Sequence, residues 1–173
     1  AVAIKNIYEG GFLDLIPADI TLAETDASLV TAISSHTRAE LFLNRNSAFL
    51  SERYDVIVVD TAPGTTPIGL AFSYAAKQSG RVLTVVEPEG SCLRALDSLA
   101  SNLAEIKSLT NVDIGMEVVV NKYHPSLKHV RESMAFIYAK YASMLNDSII
   151  PSYSGFAKQI HTGNKETAPL VEL

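Results

Sequence analysis

The sequence predicts an α/β fold with a mostly parallel sheet and helices on both faces. Three observations carry that expectation. Short β-branched runs such as Val56-Ile57-Val58-Val59 lack polar alternation, as do strands buried on both faces of a sheet. Longer stretches between them place apolar residues three and four apart, the spacing of an amphipathic helix. The two kinds of stretch alternate along the chain, which requires crossover connections and therefore parallel pairing.

In order along the chain, residues 11–17 read as a short strand stopped by Pro17. Thr25 or Asp26 is placed to cap a helix carrying Leu29 and Ile33. A second helical stretch carries Leu41, Phe42, Phe49 and Leu50 on its apolar face. Residues 56–59 read as a doubly buried strand, and residues 67–78 as a shorter helix with Gly80 as its stop. Residues 82–86 and 116–120 repeat the buried-strand pattern, and residues 148–150 form a short fourth run. From 91 to 107, Leu93, Leu96, Leu99, Leu103 and Ile106 keep a helical period. After Pro125, suited to a first helical turn, Leu127, Val130, Met134, Ile137, Tyr141 and Leu145 do the same.

With 173 residues, 47% of them hydrophobic and 19% charged, the chain is long enough for one sizeable core, and residues 1–173 are expected to form a single α/β domain. No apolar run approaches the roughly 20 residues of a membrane-spanning helix. Residues 1–10 lack the basic-then-apolar layout of a secretory signal. The lone Cys92 excludes an internal disulfide and fits a reducing, cytoplasmic setting. A net charge of −5 excludes a chain that binds nucleic acid over its whole surface.

In parallel α/β sheets, ligands bind beyond the carboxyl ends of the strands. After Val59 comes Asp60-Thr61-Ala62-Pro63-Gly64. A carboxylate there is suited to face Mg²⁺ directly or through water. The loop that follows offers backbone N–H groups to a phosphate. The competing reading is a turn capped by Asp60 and relaxed by Gly64. After Val120 comes Asn121-Lys122. A carboxamide both donates and accepts, and pairs with the N6 amino group and N7 of adenine. The competing reading is a turn-forming Asn ahead of Tyr123-His124-Pro125.

The string Tyr54-Asp55-Val56-Ile57-Val58-Val59-Asp60-Thr61-Ala62-Pro63-Gly64 resembles the Walker B and switch II segment of the ParA/MinD family of deviant Walker-type P-loop ATPases. Three further strings resemble that family in the same order: Phe12-Leu13-Asp14-Leu15-Ile16-Pro17-Ala18 with Leu22 and Glu24; Val86-Glu87-Pro88-Glu89 ahead of a long helix; and Ile149-Ile150-Pro151 followed by Gly163. The resemblance implies a P-loop ATPase fold that uses ATP and Mg²⁺. It assigns Asp60 to the metal, through water, as the catalytic position present here. Thr61, Pro63 and Gly64 fall in the switch loop, and Asn121 falls against the base, with Lys122, Pro151 and Ser152 near the nucleotide. It further implies plasmid or chromosome partition by an ATP-bridged homodimer that binds DNA non-specifically, with a centromere-binding adaptor protein stimulating hydrolysis.

One departure bears on activity. No Gly-Lys-Ser or Gly-Lys-Thr occurs in the chain, so the family's phosphate-binding loop is missing from it, as is the Asp that positions the attacking water. The expectation is the C-terminal portion of such an ATPase, unable to hydrolyse ATP as it stands, from a longer parent that does. Two alternatives stand beside it: MinD-like positioning at a membrane, disfavoured because residues 166–173 lack a basic face, and a truncated, non-catalytic interaction module.

The remaining residues read more plainly. His36, His124, His129 and His161 show no zinc-type spacing. Cys92 reads as a small core residue, and Tyr138 and Tyr141 as core positions of one helix. Lys122, Lys128, His129 and Arg131 cluster near one helix start, either as a solvated face or, by the resemblance, as part of a DNA-binding surface.

Overall fold

In a computed structural model, residues 2–5, 11–62, 64–77 and 79–153 are described. The chain divides into two compact units, residues 1–75 and 76–173.

The first unit opens with two antiparallel strands, β1 (Val2–Lys5) and β2 (Phe12–Leu15), in the register Val2↔Leu15 to Lys5↔Phe12. The sequence pattern had no counterpart for β1. Helices α1 (Thr21–Thr31), α2 (Arg38–Arg45), α3 (Ser47–Arg53) and α4 (Pro67–Ala75) follow. Helix α1 starts earlier than Thr25 predicts. Asp19 Oδ1 accepts the Thr21 N–H at 2.8 Å, and Asp26 lies inside the helix. Asp26 instead caps α4, its Oδ1 accepting the Ile68 N–H at 2.8 Å, while Thr66 Oγ1 accepts the Gly69 N–H at 3.1 Å. A Thr followed by Pro at the first helical position is a sequence signal for that start. The predicted second helical stretch is broken into α2 and α3 at Asn46, whose Nδ2 donates back to the Phe42 carbonyl.

Asp14, in the middle of β2, gathers the start of the Walker-like string. Tyr54 Oη donates to Asp14 Oδ2 at 2.6 Å, and Arg53 Nε and Nη2 donate to the same oxygen at 3.2 and 3.1 Å. The guanidinium also lies over the Phe12 ring. The Tyr54 hydrogen bond, followed by those from Arg53, holds the Asp14 carboxyl below its ordinary value.

Residues 56–59 correct the sequence reading. They belong to no strand, and all four are exposed, Val56 by 73% and Val58 by 85%. A β-branched run becomes a strand only when a neighbour takes up its N–H and C=O groups. Among the described residues none pairs with it.

The second unit holds a parallel sheet in the order β3 (Val82–Val86), β4 (Met116–Tyr123), β5 (Leu145–Pro151). Its crossovers are α5 (Gly90–Thr110) and α6 (Lys128–Tyr141). Pro125 therefore precedes α6 rather than opening it, and Leu145 begins β5 rather than extending the helix. Val86, Leu96, Val118, Val120, Met134, Ile137 and Tyr141 form one core, which joins the sheet to both helices. At about 25 cal/mol per Å² of apolar surface removed from water, these residues supply most of the drive that closes this unit. Leu83 and Val85 alternate to the opposite side and are exposed, so β3 is not buried on both faces as its composition implies.

Polar contacts pin the helices and the register. Asp97 of α5 accepts hydrogen bonds from Lys140 Nζ at 2.8 Å and from the Tyr141 hydroxyl of α6. At the amino end of the sheet, Glu117 bridges Arg81, at 2.6 Å, and Asn146. Helix α5 ends at Asn111, which adopts a left-handed conformation (φ 55°) and donates its N–H to the Lys107 carbonyl. Tyr141 is buried as predicted, but Tyr138 is 51% exposed: four residues before Ala142, it falls on the outer side of α6.

Candidate functional site

The carboxyl edge of the β3-β4-β5 sheet gathers most of the residues singled out in the sequence. Parallel pairing sends all three strand ends in one direction, so the segments after Val86, Val120 and Ile150 emerge along one rim. Tyr123 pairs with Pro151, and the Ser152 N–H donates to the Tyr123 carbonyl at 2.9 Å. Asn121, Lys122, Pro151 and Ser152 are thereby brought together.

Asn121 is half-buried. Its Oδ1 accepts the backbone N–H of Lys122 at 2.9 Å. An N–H must be met by an acceptor, so this contact fixes which end of the carboxamide is oxygen. Among the described residues, one lone pair of Oδ1 and both Nδ2 hydrogens remain for a ligand. Lys122 has φ 53°, in the left-handed region, which is uncommon for a residue with a Cβ. Its Nζ lies 2.5 Å from Glu87 Oε1, just past the end of β3. The hydrogen bond to Glu87, and then the carboxylate charge, hold the ammonium above its ordinary value. Sequence reading placed Glu87 in a family-like string without assigning it a partner. The available signal was an acid one residue past Val86 and a base two residues past Val120, on strands whose ends lie side by side.

In the first unit, Asp60 and Thr61 follow the unladdered run, and both are exposed. Gly64 has φ 92° and open space where a Cβ would stand. Backbone conformation, not crowding, therefore requires glycine there. The loop leads into α4, whose first N–H groups are already taken by Asp26 and Thr66. Pro63, His161, Gly163 and residues 166–173 lie outside the described residues.

Each unit by itself offers accessible groups of a kind suited to a nucleotide or to its divalent cation. Asp60 offers an exposed carboxylate of the kind that holds Mg²⁺ through water, and Asn121 retains donor and acceptor capacity. The basic cluster is less available than its composition implies. Lys122 is engaged by Glu87, and Arg131 Nη1 donates to the Pro125 and Ser126 carbonyls at 2.9 and 3.0 Å. Lys128 is exposed, 3.6 Å from Glu132. Among the described residues, no helix is long and apolar enough to cross a membrane.

Comparison with known proteins agrees with the resemblance. A family model described as an AAA domain (AAA_31) matches residues 1–116. Two proteins of Mycobacterium tuberculosis are each 24% identical over 139 residues, or 80% of this chain and 42% of theirs: "Uncharacterized protein MT1749" of strain CDC 1551 / Oshkosh and "Uncharacterized protein Rv1708" of strain ATCC 25618 / H37Rv. The "Sporulation initiation inhibitor protein Soj" of Bacillus subtilis strain 168 is 32% identical over 108 residues, 62% of this chain and 40% of Soj. The chain thus spans about two fifths of the length of these relatives. With the family match covering more than half of the residues and the strand-end motifs in the family's order, the chain belongs to the ParA/MinD-like family of P-loop ATPases.

Proposed function

We propose that this chain is part of a ParA-like ATPase acting in plasmid or chromosome partition, and that residues 1–173 contribute the base-side and switch-side portions of its nucleotide site within a single domain. The observation that carries this reading is the convergence of Asn121, Lys122, Pro151 and Ser152 on one sheet edge, joined by the Ser152–Tyr123 hydrogen bond. Asn121 contacts the base, with the backbone around Pro151 and Ser152 beside it. Asp60 holds Mg²⁺ through water, and the bound ion supplies charge neutralisation at the phosphates. Thr61, Pro63 and Gly64 form the loop that responds to the nucleotide's state. The whole protein forms an ATP-bridged homodimer in the cytoplasm, binds DNA non-specifically and meets a centromere-binding adaptor protein that stimulates hydrolysis. Membership of a family that includes Soj supports this assignment of partners.

The test is nucleotide binding by the protein as encoded, with Mg²⁺ present. Asn121→Ala is expected to weaken ATP binding, and Asp60→Ala to remove its Mg²⁺ dependence. Nucleotide binding indifferent to both substitutions refutes the assignment. No binding at all favours the non-catalytic interaction module.

A further inference from the structure

Two carboxylates on successive elements, Asp14 of β2 and Asp26 of α1, hold the chain on either side of Asp60. Before it, Asp14 accepts from Tyr54 Oη at 2.6 Å and from Arg53 Nη2 at 3.1 Å. The Asp14 side chain is 9% exposed, so water and salt screen these contacts little. After it, Asp26 Oδ1 accepts the Ile68 N–H at 2.8 Å, and Thr66 Oγ1 accepts the Gly69 N–H. Pro67 has no N–H, so the first donors of α4 are both met, one of them by a carboxylate from another helix. The helix dipole favours a negative charge at that end. The capped turn also neighbours the loop. Thr61 Cγ2 lies 3.8 Å from the point where a Cβ on Gly69 would stand, so the residue next to Asp60 lies beside the first turn of α4. Among the described residues, no strand ladder holds residues 56–59, which lead into Asp60.

We infer that Asp14 and Asp26 are positioning residues that fix the two ends of the switch-side segment, and that the Asp26 cap, through α4 and Thr61, keeps Asp60 where it holds Mg²⁺ through water. The inference rests on the proposed role of Asp60, and it adds what places that carboxylate. Both residues act through others and touch neither metal nor nucleotide. Without the Asp26 acceptor, an N–H at the start of α4 is left unmet and the first turn frays. The loop then spends part of its time with Asp60 misplaced. The apparent affinity for the ion falls by the fraction of time the loop is competent.

The experiment uses the encoded protein and two readouts. The first is backbone amide exchange over residues 60–70, followed without nucleotide or metal. The second is the Mg²⁺ concentration that half-saturates the Mg²⁺-dependent part of ATP binding, set against ATP affinity in EDTA. Asp26→Ala is expected to speed exchange at Ile68 and to raise the half-saturating Mg²⁺ about fivefold, the equivalent of one lost cap. ATP affinity in EDTA should stay unchanged, which a general loss of folding would not allow. Asp26→Asn keeps an acceptor oxygen and should stay within about twofold of wild type. Tyr54→Phe, which removes a donor from Asp14 at the other end, should raise the half-saturating Mg²⁺ about twofold, and it carries the test if Asp26→Ala fails to fold. Mg²⁺ dependence untouched by Asp60→Ala, or no nucleotide binding, overturns the metal assignment and the positioning role with it. Mg²⁺ dependence lost in Asp60→Ala but unaltered in both Asp26→Ala and Tyr54→Phe overturns the positioning role alone. So does an Asp26→Asn variant as impaired as Asp26→Ala, because an acceptor at that place would then not suffice.

Discussion

Thr84→Val is expected to stabilise this protein, against the general trend of point substitutions. Thr84 sits at the centre of β3, opposite Val118 of β4. Its Oγ1 is buried and, among the described residues, has no hydrogen-bond partner. A hydroxyl removed from water without compensation costs about 1–3 kcal/mol by mutational measures. Valine keeps the β-branched shape and replaces that oxygen with a methyl group, so the penalty is removed without opening a cavity. Part of the gain is offset by fitting a slightly larger group, leaving about 1 kcal/mol. For a chain of this length, that corresponds to a Tm rise of about 2–4 °C. Thermal unfolding followed by far-UV circular dichroism, at fixed pH and salt, is the assay. Thr84→Ser is the control, since it keeps the hydroxyl and should not rise. A Tm for Thr84→Val equal to or below wild type, with the folded spectrum intact, would refute the claim that an orphaned hydroxyl burdens this sheet.

Three further expectations follow from the second unit. Ile137→Ala, at a fully buried position between α6 and the sheet, should cost about 2–5 kcal/mol, read from denaturant melts. Asn111→Gly should be neutral or slightly stabilising, and Asn111→Ala should cost about 1 kcal/mol in the same melts, because only the former relieves the left-handed C-terminal cap. Asp97 is held below its ordinary 3.8 by the Lys140 and Tyr141 hydrogen bonds, and Glu117 below its ordinary 4.5 by those from Arg81 and Asn146. Both values are depressed on folding, so their stabilisation is present above those ordinary values and is lost as pH falls through the folded ones. Asp97→Asn and Glu117→Gln should therefore flatten the decline of Tm between about pH 5 and pH 2, and an unchanged slope would count against these contacts.

The helices of the second unit were legible because a period of three and four residues survives in any tertiary setting. Leu96, Leu103, Val130, Met134 and Ile137 are buried as that period requires. Helix limits were less legible. Pro125 is compatible with a first turn or with the loop before it, and only the hydrogen bonds decide. Asp26 shows the same ambiguity: a good capping residue by type, it caps a different helix 42 residues away. The strand-end residues Asn121, Lys122, Pro151 and Ser152 were found because parallel α/β sheets put ligands at that edge. Glu87 was overlooked as a partner because an ion pair between adjacent strand ends depends on register, which composition does not carry.

The order of elements in the second unit, the family and the identity of the strand-end residues were written in the sequence itself, since local periodicity and ordered motifs are properties of neighbouring residues. Whether an apolar run becomes a strand was not. Residues 56–59 and 116–120 are alike in composition, yet β4 is laddered on both sides and its Val118 and Val120 are fully buried, while Val56 and Val58 stand exposed. A strand's hydrogen bonds are made with another segment, and so is the Glu87–Lys122 ion pair between two strand ends. Tertiary structure alone supplies such partners, and it therefore decided both outcomes.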